Sequence, residues 1–190
     1  MRTYHLTAPL GADDIAPLRA GDKVYLSGTI YTARDAAHAR LCAALASGDA
    51  LPVNLCGQTV FYAGPTPTPP GAKCGAIGPT TSMRMDAHTP ALLRYGMNAM
   101  IGKGDRSETV RRAIAQSGAV YFAAIGGCAA YMSQCVESVT VVAYEDLGTE
   151  SVKRLQVKEM PLTVAIDSMG ENAYELGREQ YAASLENAEK

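Results

Sequence analysis

The sequence predicts an α/β domain with a mixed sheet. Strand-like and helix-like patterns alternate along most of the chain, and two of the strand segments are continuous apolar runs of the kind buried on both faces. No internal repeat and no linker divides the 190 residues, so 1–190 read as one domain.

The elements follow in order. Residues 23–31 (KVYLSGTIY) mix β-branched and aromatic side chains as a strand does. Residues 35–46 then place Ala37, Leu41 and Leu45 on one helical stripe with Cys42 beside it. A short strand at 59–63 leads into residues 64–79, where five prolines and four glycines exclude regular structure. A loop of that length is usually functional or disordered. Asp86 or Thr89 is positioned to cap a short helix through Tyr95, and 97–101 reads as a short buried strand. Ser107 opens a helix whose Val110, Ala113, Ile114 and Ser117 fall at i, i+3, i+4 and i+7, with Gly118 as its stop. The remainder reads as a buried strand at 119–125, a turn with a short helix at 126–132 and a strand at 138–143. Two further strands follow at 152–157 and 162–167, separated by Pro161, and a closing helix covers 171–185.

Composition limits the function. Charged residues make up 19% and the formal net charge is −2, so a sequence-independent polyphosphate binder is a poor fit and no nucleic-acid partner is expected. The longest apolar stretch, 119–132, is too short to span a bilayer and is interrupted by Gly126 and Gly127. The N-terminus lacks a succession of basic, apolar and cleavage-site residues, so a soluble cytoplasmic protein without membrane attachment is expected. Five cysteines (Cys42, Cys56, Cys74, Cys128 and Cys135) without CxxC or zinc-type spacing point to small buried thiols in a reducing compartment, and no metal site is expected on this chain. Charge is unevenly divided. Residues 34–112 carry nine Lys/Arg against five acids and the rest eight against fourteen, which suits a small anion in one pocket.

The chemistry concentrates at junctions. Residues 78–86 (GPTTSMRMD) present consecutive hydroxyls near a helix start, with a guanidinium four positions beyond Thr80, an arrangement able to hold a carboxylate or phosphate. Residues 102–107 (GKGDRS) form a second strand-to-helix turn with Lys103 as its cation. Without GxxxxGK[ST], a nucleotide site there is a weak reading. In the third junction Arg34 stands at a helix N-terminus with Asp35 and His38 one turn apart, so that Asp35 is placed to orient the imidazole. The blander alternative is an N-capping aspartate beside a satisfied buried histidine. His5 and His88 read as structural, and Gly126-Gly127 as a packing turn.

Together SGTIYTARDAAHAR, AGPTPTPPG followed by GPTTSMRMD, GKGDRS and VVAYEDLGTESVKRLQVKEMPLTVAIDSMG resemble the β subunit of class I iron–sulfur fumarase and the related L-tartrate dehydratase, over almost the whole chain. The resemblance implies a swivelling β/β/α fold, equivalent to the C-terminal domain of single-chain members. It also implies a fumarase α subunit as partner, which carries the cysteines for a four-iron, four-sulfur cluster, and an assembly with two copies of each chain. One iron of that cluster serves as Lewis acid in reversible water addition to a small dicarboxylate. Residue by residue, it places substrate-carboxylate binding on Arg34, Thr81, Arg84 and Lys103 and proton abstraction on Thr80, with Asp35 and His38 as candidate activators of that hydroxyl. Fumarate, ahead of tartrate, is the expected substrate. The chain departs from the family pattern at Ser82 and Met83, where glycine or alanine is common. A free-standing anion or nucleotide binder and a purely structural subunit are the alternatives.

Overall fold

The computed structural model describes residues 1–188. Short apolar strands in parallel pairing set its architecture. The order is β1 (Thr3–Ala8), α1 (Ala12–Ile15), β2 (Lys23–Thr32), α2 (Asp35–Ser47), β3 (Thr59–Phe61), a 3-10 turn (Ser82–Met85), α3 (Thr89–Tyr95), β4 (Ala99–Gly102) and α4 (Glu108–Ser117). Then come β5 (Val120–Ala123), α5 (Ala129–Gln134), β6 (Val136–Ala143), a kinked 3-10 turn (Glu145–Glu150), β7 (Val152–Ile166) and α6 (Ala173–Ala188).

Strands β2, β3, β4 and β5 pair in parallel, and β7 pairs antiparallel with both β5 and β2, so these five strands close on themselves. β1 runs parallel beside the first part of β2, and β6 runs antiparallel beside the first part of β7. The sheet is mixed, as expected from the sequence.

Alternation along the strands divides the core in two. Val24, Leu26 and Ile30 of β2 face the interior of the ring with Phe61, Ile101 and Phe122. The intervening Val60, Met100 and Tyr121 face outward and are covered by Leu41 of α2, Leu92 of α3 and Val110 and Ile114 of α4. β3 and β4 are therefore buried along their whole length. Full burial of each Leu, Ile or Val contributes roughly 1.5–3 kcal/mol, which fixes the strand ends from which the functional loops depart.

Several expectations are corrected. β1 and α1 lie in a stretch with no predicted element. β1 shows the two-residue alternation of a half-covered strand, and Gly28 (φ 98) lets β1 approach, since a Cβ there would stand 2.3 Å from the Ala8 carbonyl oxygen. β7 is one fifteen-residue strand, not two. Pro161 pairs opposite Tyr25 and sits between the stretches of β7 paired with β6 and β5, where a missing N–H breaks no ladder on that edge. A register shift opposite Leu26 and Gly28, with Glu159 at φ 49, takes up the irregularity. Neither Asp86 nor Thr89 caps α3, whose N-cap is His88. Ser107 and Gly118 bound α4 as the sequence predicts.

Candidate functional site

The loops leaving the C-terminal ends of β2, β3, β4 and β5 carry almost all of the candidate residues. Ligands of parallel α/β sheets bind at this edge because helix N-termini and free loop backbone meet there.

The long loop after β3 returns to the sheet at Thr80. Its N–H donates to the Tyr62 carbonyl at 2.6 Å, and the Lys103 N–H donates to the Thr80 carbonyl at 3.3 Å. Thr81 pairs with Lys103 in an isolated parallel bridge, and the Ser82 N–H donates to the Lys103 carbonyl at 2.9 Å. The two hydroxyls and the lysine are thereby fixed to one another by backbone. Ser82 is buried, its hydroxyl 2.9 Å from that of Tyr121, which in turn donates to the Gly104 carbonyl at 2.7 Å. Burial pushes the Tyr121 phenol well above its ordinary range, so it remains protonated. This packing requires Gly102, since a Cβ there would stand 1.9 Å from Ser82 Oγ. The departure at Ser82 is thus structural, whereas Met83 stands exposed.

Arg34, Asp35 and Arg84 form the second half. Arg84 Nε lies 2.7 Å from Asp35 Oδ1, while Arg34 Nη2 lies 3.5 Å from Asp35 Oδ2 and 3.6 Å from Glu150 Oε1. The Arg34 contacts are ion pairs without hydrogen-bond geometry. Arg34 Nε and Asp35 Oδ2 are buried with no partner among the described residues. Lys103 Nζ likewise meets no acceptor among the described residues, and its stem crosses Gly126, where a Cβ would stand 3.3 Å from Cδ. The Gly126-Gly127 turn therefore adjoins the cluster. A buried donor without an acceptor, as Arg34 Nε is, is costly, and an anion is one partner that would satisfy it.

Of the two readings of Asp35 and His38, the paired one is not formed, and His38 is the buried, hydrogen-bonded histidine of the other. Asp35 turns to Arg84, while His38 points inward, fully buried, and its Nδ1–H donates to the Arg34 carbonyl at 3.0 Å. Its ring packs edge-on to Tyr62 with centroids 5.1 Å apart. Burial lowers its pKa to about 4, so it is neutral at pH 7. Among the described residues neither Asp35 nor His38 hydrogen-bonds to Thr80, whose hydroxyl has no activator in view. The thiols also depart from expectation, since Cys74 is buried but Cys56 is exposed. Among the described residues no three His, Cys, Asp or Glu side chains come together as a metal would need, so this chain's residues do not fit an iron–sulfur cluster.

Sequence reasoning missed Glu150, which reaches Arg34 from the turn before β7, and the role of Asp86 and Arg106. Arg106 is buried, with Nε 2.7 Å from Asp86 Oδ1 and Nη2 2.7 Å from Thr89 Oγ1, and it lies between the rings of Tyr62 and Tyr121. Asp86 also accepts the Ser107 N–H at 2.7 Å. This pair locks the loop carrying Thr80 and Arg84 onto the start of α4. Only the charges of this pair were legible.

A closed ring of strands that gathers cations and hydroxyls at one edge defines an α/β domain with a cationic loop face. Sequence comparison identifies which. The chain belongs to the family described as the fumarase C-terminus, which matches residues 1–177. It is 36% identical over 155 residues to the aerobic class I fumarate hydratase of Escherichia coli K12, covering 80% of this chain and 28% of that protein. It is 35% identical over 156 residues to fumarate hydratase 2 of Leishmania major, with 81% and 28% covered. A Methanocaldococcus jannaschii chain provisionally named L(+)-tartrate dehydratase subunit beta is 39% identical over 168 residues, with 85% and 86% covered. The chain thus spans under a third of the fumarate hydratases and most of the tartrate dehydratase subunit. No helix among the described residues is long and apolar enough to cross a membrane.

Proposed function

We propose that this chain is the β subunit of a cytoplasmic class I fumarate hydratase, a hydro-lyase that interconverts fumarate and L-malate. One observation carries the reading: three separate loops are tied together here, Arg34 and Arg84 by shared Asp35 and Thr81 to Lys103 by a backbone bridge, with Arg34 Nε buried and without a partner among the described residues. Such donors complement the two carboxylates of a small dicarboxylate, and the charge that builds when a proton leaves the carbon beside one of them. Arg34, Arg84, Thr81 and Lys103 hold and orient the substrate. Thr80, joined through its backbone to Lys103 and four residues before Arg84, takes the proton. The neighbouring positive charges favour the alkoxide, which is the help a threonine hydroxyl needs as a base.

The iron–sulfur cluster implied by the resemblance belongs on a separate α subunit, in an assembly with two copies of each chain. An exposed apolar rim supports a second chain here. Met83 in the 3-10 turn, Ile125 after β5 and Tyr131 on α5 are exposed, and large exposed apolar side chains are suited to a contact surface. L-tartrate dehydration is the second reading, favoured by the match to a separate β-type chain over 86% of its length.

Purifying the chain with an α subunit under anaerobic conditions, and assaying the pair on fumarate, L-malate and L-tartrate, tests both. Turnover of fumarate and L-malate by the pair and none by this chain alone is expected. Turnover of tartrate alone selects the second reading, and activity on none of the three overturns both.

A further inference from the structure

The turn between β6 and β7 is strongly braced for a surface segment. It enters through Tyr144 in the left-handed region (φ 55, ψ 46) and kinks at Gly148 (φ 56, ψ −113). A bulky residue held there costs about 1–2 kcal/mol and persists only where its surroundings over-determine it. Here they do. Lys153, nearly buried on β7, donates through Nζ to the carbonyls of Gly148 at 2.8 Å and Thr149 at 3.1 Å and to Ser151 Oγ at 2.6 Å. Its own N–H donates to Thr32 Oγ1 at the end of β2, two residues before Arg34.

On its outer side the turn grips α2. Arg40 is held in a fork by Asp146 at 2.8 and 2.5 Å. Arg34, the N-cap of α2, provides no side-chain cap. Glu150 supplies one from 114 residues away, accepting the Ala36 N–H at 3.0 Å through Oε2 while Oε1 lies 3.6 Å from Arg34 Nη2. Gly64 completes the seat, since a Cβ there would stand 2.8 Å from the Thr149 carbonyl oxygen and 3.3 Å from Arg34 Cδ.

We infer that Glu150 is a positioning residue for Arg34: it caps α2 with one oxygen and holds the guanidinium by charge with the other, leaving the Arg34 N–H donors for the substrate carboxylate. The inference rests on the proposed dicarboxylate site. Asp35 and Glu150 are the carboxylates that pair with Arg34, and Asp35 is shared with Arg84, so Glu150 is the one that pairs with no other cation among the described residues.

The test compares Glu150→Gln, Glu150→Asp and Arg34→Ala in the complex with the α subunit. Steady-state kinetics on L-malate and calorimetric titration of L-malate are the readouts, with thermal unfolding to confirm folding. Glu150→Gln retains an acceptor for Ala36 and removes the charge, so KM and Kd rise about tenfold while kcat changes less than twofold. Glu150→Asp restores part of the affinity. Wild-type KM and Kd in Glu150→Gln, with both raised in Arg34→Ala, overturn the positioning role alone. Unchanged Kd in Arg34→Ala overturns the dicarboxylate site and this inference with it.

Discussion

Two arginine clusters lie on the same side of the sheet and differ in one respect. Around Arg106, Asp86, Thr89 and the faces of Tyr62 and Tyr121 leave no side-chain exposure, and Asp86 is nearly as covered. Around Arg34 and Arg84, carboxylates lie close but Arg34 Nε, Asp35 Oδ2 and the Lys103 ammonium lack hydrogen-bond partners among the described residues, and Arg84 is half exposed. Both are arginines on strand-to-helix loops, so residue type does not separate them. Completeness of pairing does: a satisfied guanidinium holds loops together, whereas one with a donor to spare can take up a ligand.

The sharpest way to break that contrast is to remove Arg106. Arg106→Met leaves Asp86 buried without its cation, and a loss of about 3–5 kcal/mol is expected, read as a lower urea midpoint. If Arg106→Met unfolded at the wild-type midpoint, the structural assignment would be wrong.

A second effect comes from His38, which lies between the two clusters. Its folded pKa of about 4 is below the unfolded value near 6.5, so the unfolded chain binds the proton first as pH falls. Stability is unaffected above pH 6.5, declines as pH drops toward 4, and is lower by about 3 kcal/mol at the end of that window. In His38→Asn this part of the pH dependence should vanish from unfolding curves collected between pH 7 and 4.

Effects on the open cluster are smaller and fall on catalysis. Lys103→Ala is expected to lower kcat/KM of the assembled complex about ten- to a hundredfold, in line with a charge-assisted hydrogen bond of roughly 1.5–3 kcal/mol. Gly126→Ala crowds the lysine stem without removing its charge, and an increase in KM of about threefold is expected. An effect of Gly126→Ala equal to that of Lys103→Ala would show that the turn does more than accommodate the stem.

Local patterns made much of this visible in the sequence. The stripe of Ala37, Leu41 and Leu45, the run into Ser107 and the punctuation by Gly118 each express a local rule, and the structure follows them. The hydroxyl and arginine spacing of residues 78–86 was equally readable, because one loop carries it. What escaped depends on distant partners. Pro161 reads as a break, but whether a missing N–H interrupts a strand depends on the neighbours along its edge, and β5 and β6 leave that position unpaired. Asp35 and His38 are spaced to pair along a helix, yet Arg84 arrives from another loop and claims the carboxylate. Glu150 was invisible, since only the kinked turn before β7 brings it to the N-terminus of α2.

The central claim is that the cations at the strand ends bind the substrate. Arg84→Ala in the complex with the α subunit tests it most directly, by kcat/KM on L-malate measured beside the thermal unfolding temperature. A drop of about ten- to a hundredfold in kcat/KM is predicted, with stability within about 0.5 kcal/mol of wild type because the side chain is half exposed. Wild-type kcat/KM in a folded, cluster-loaded complex would contradict it.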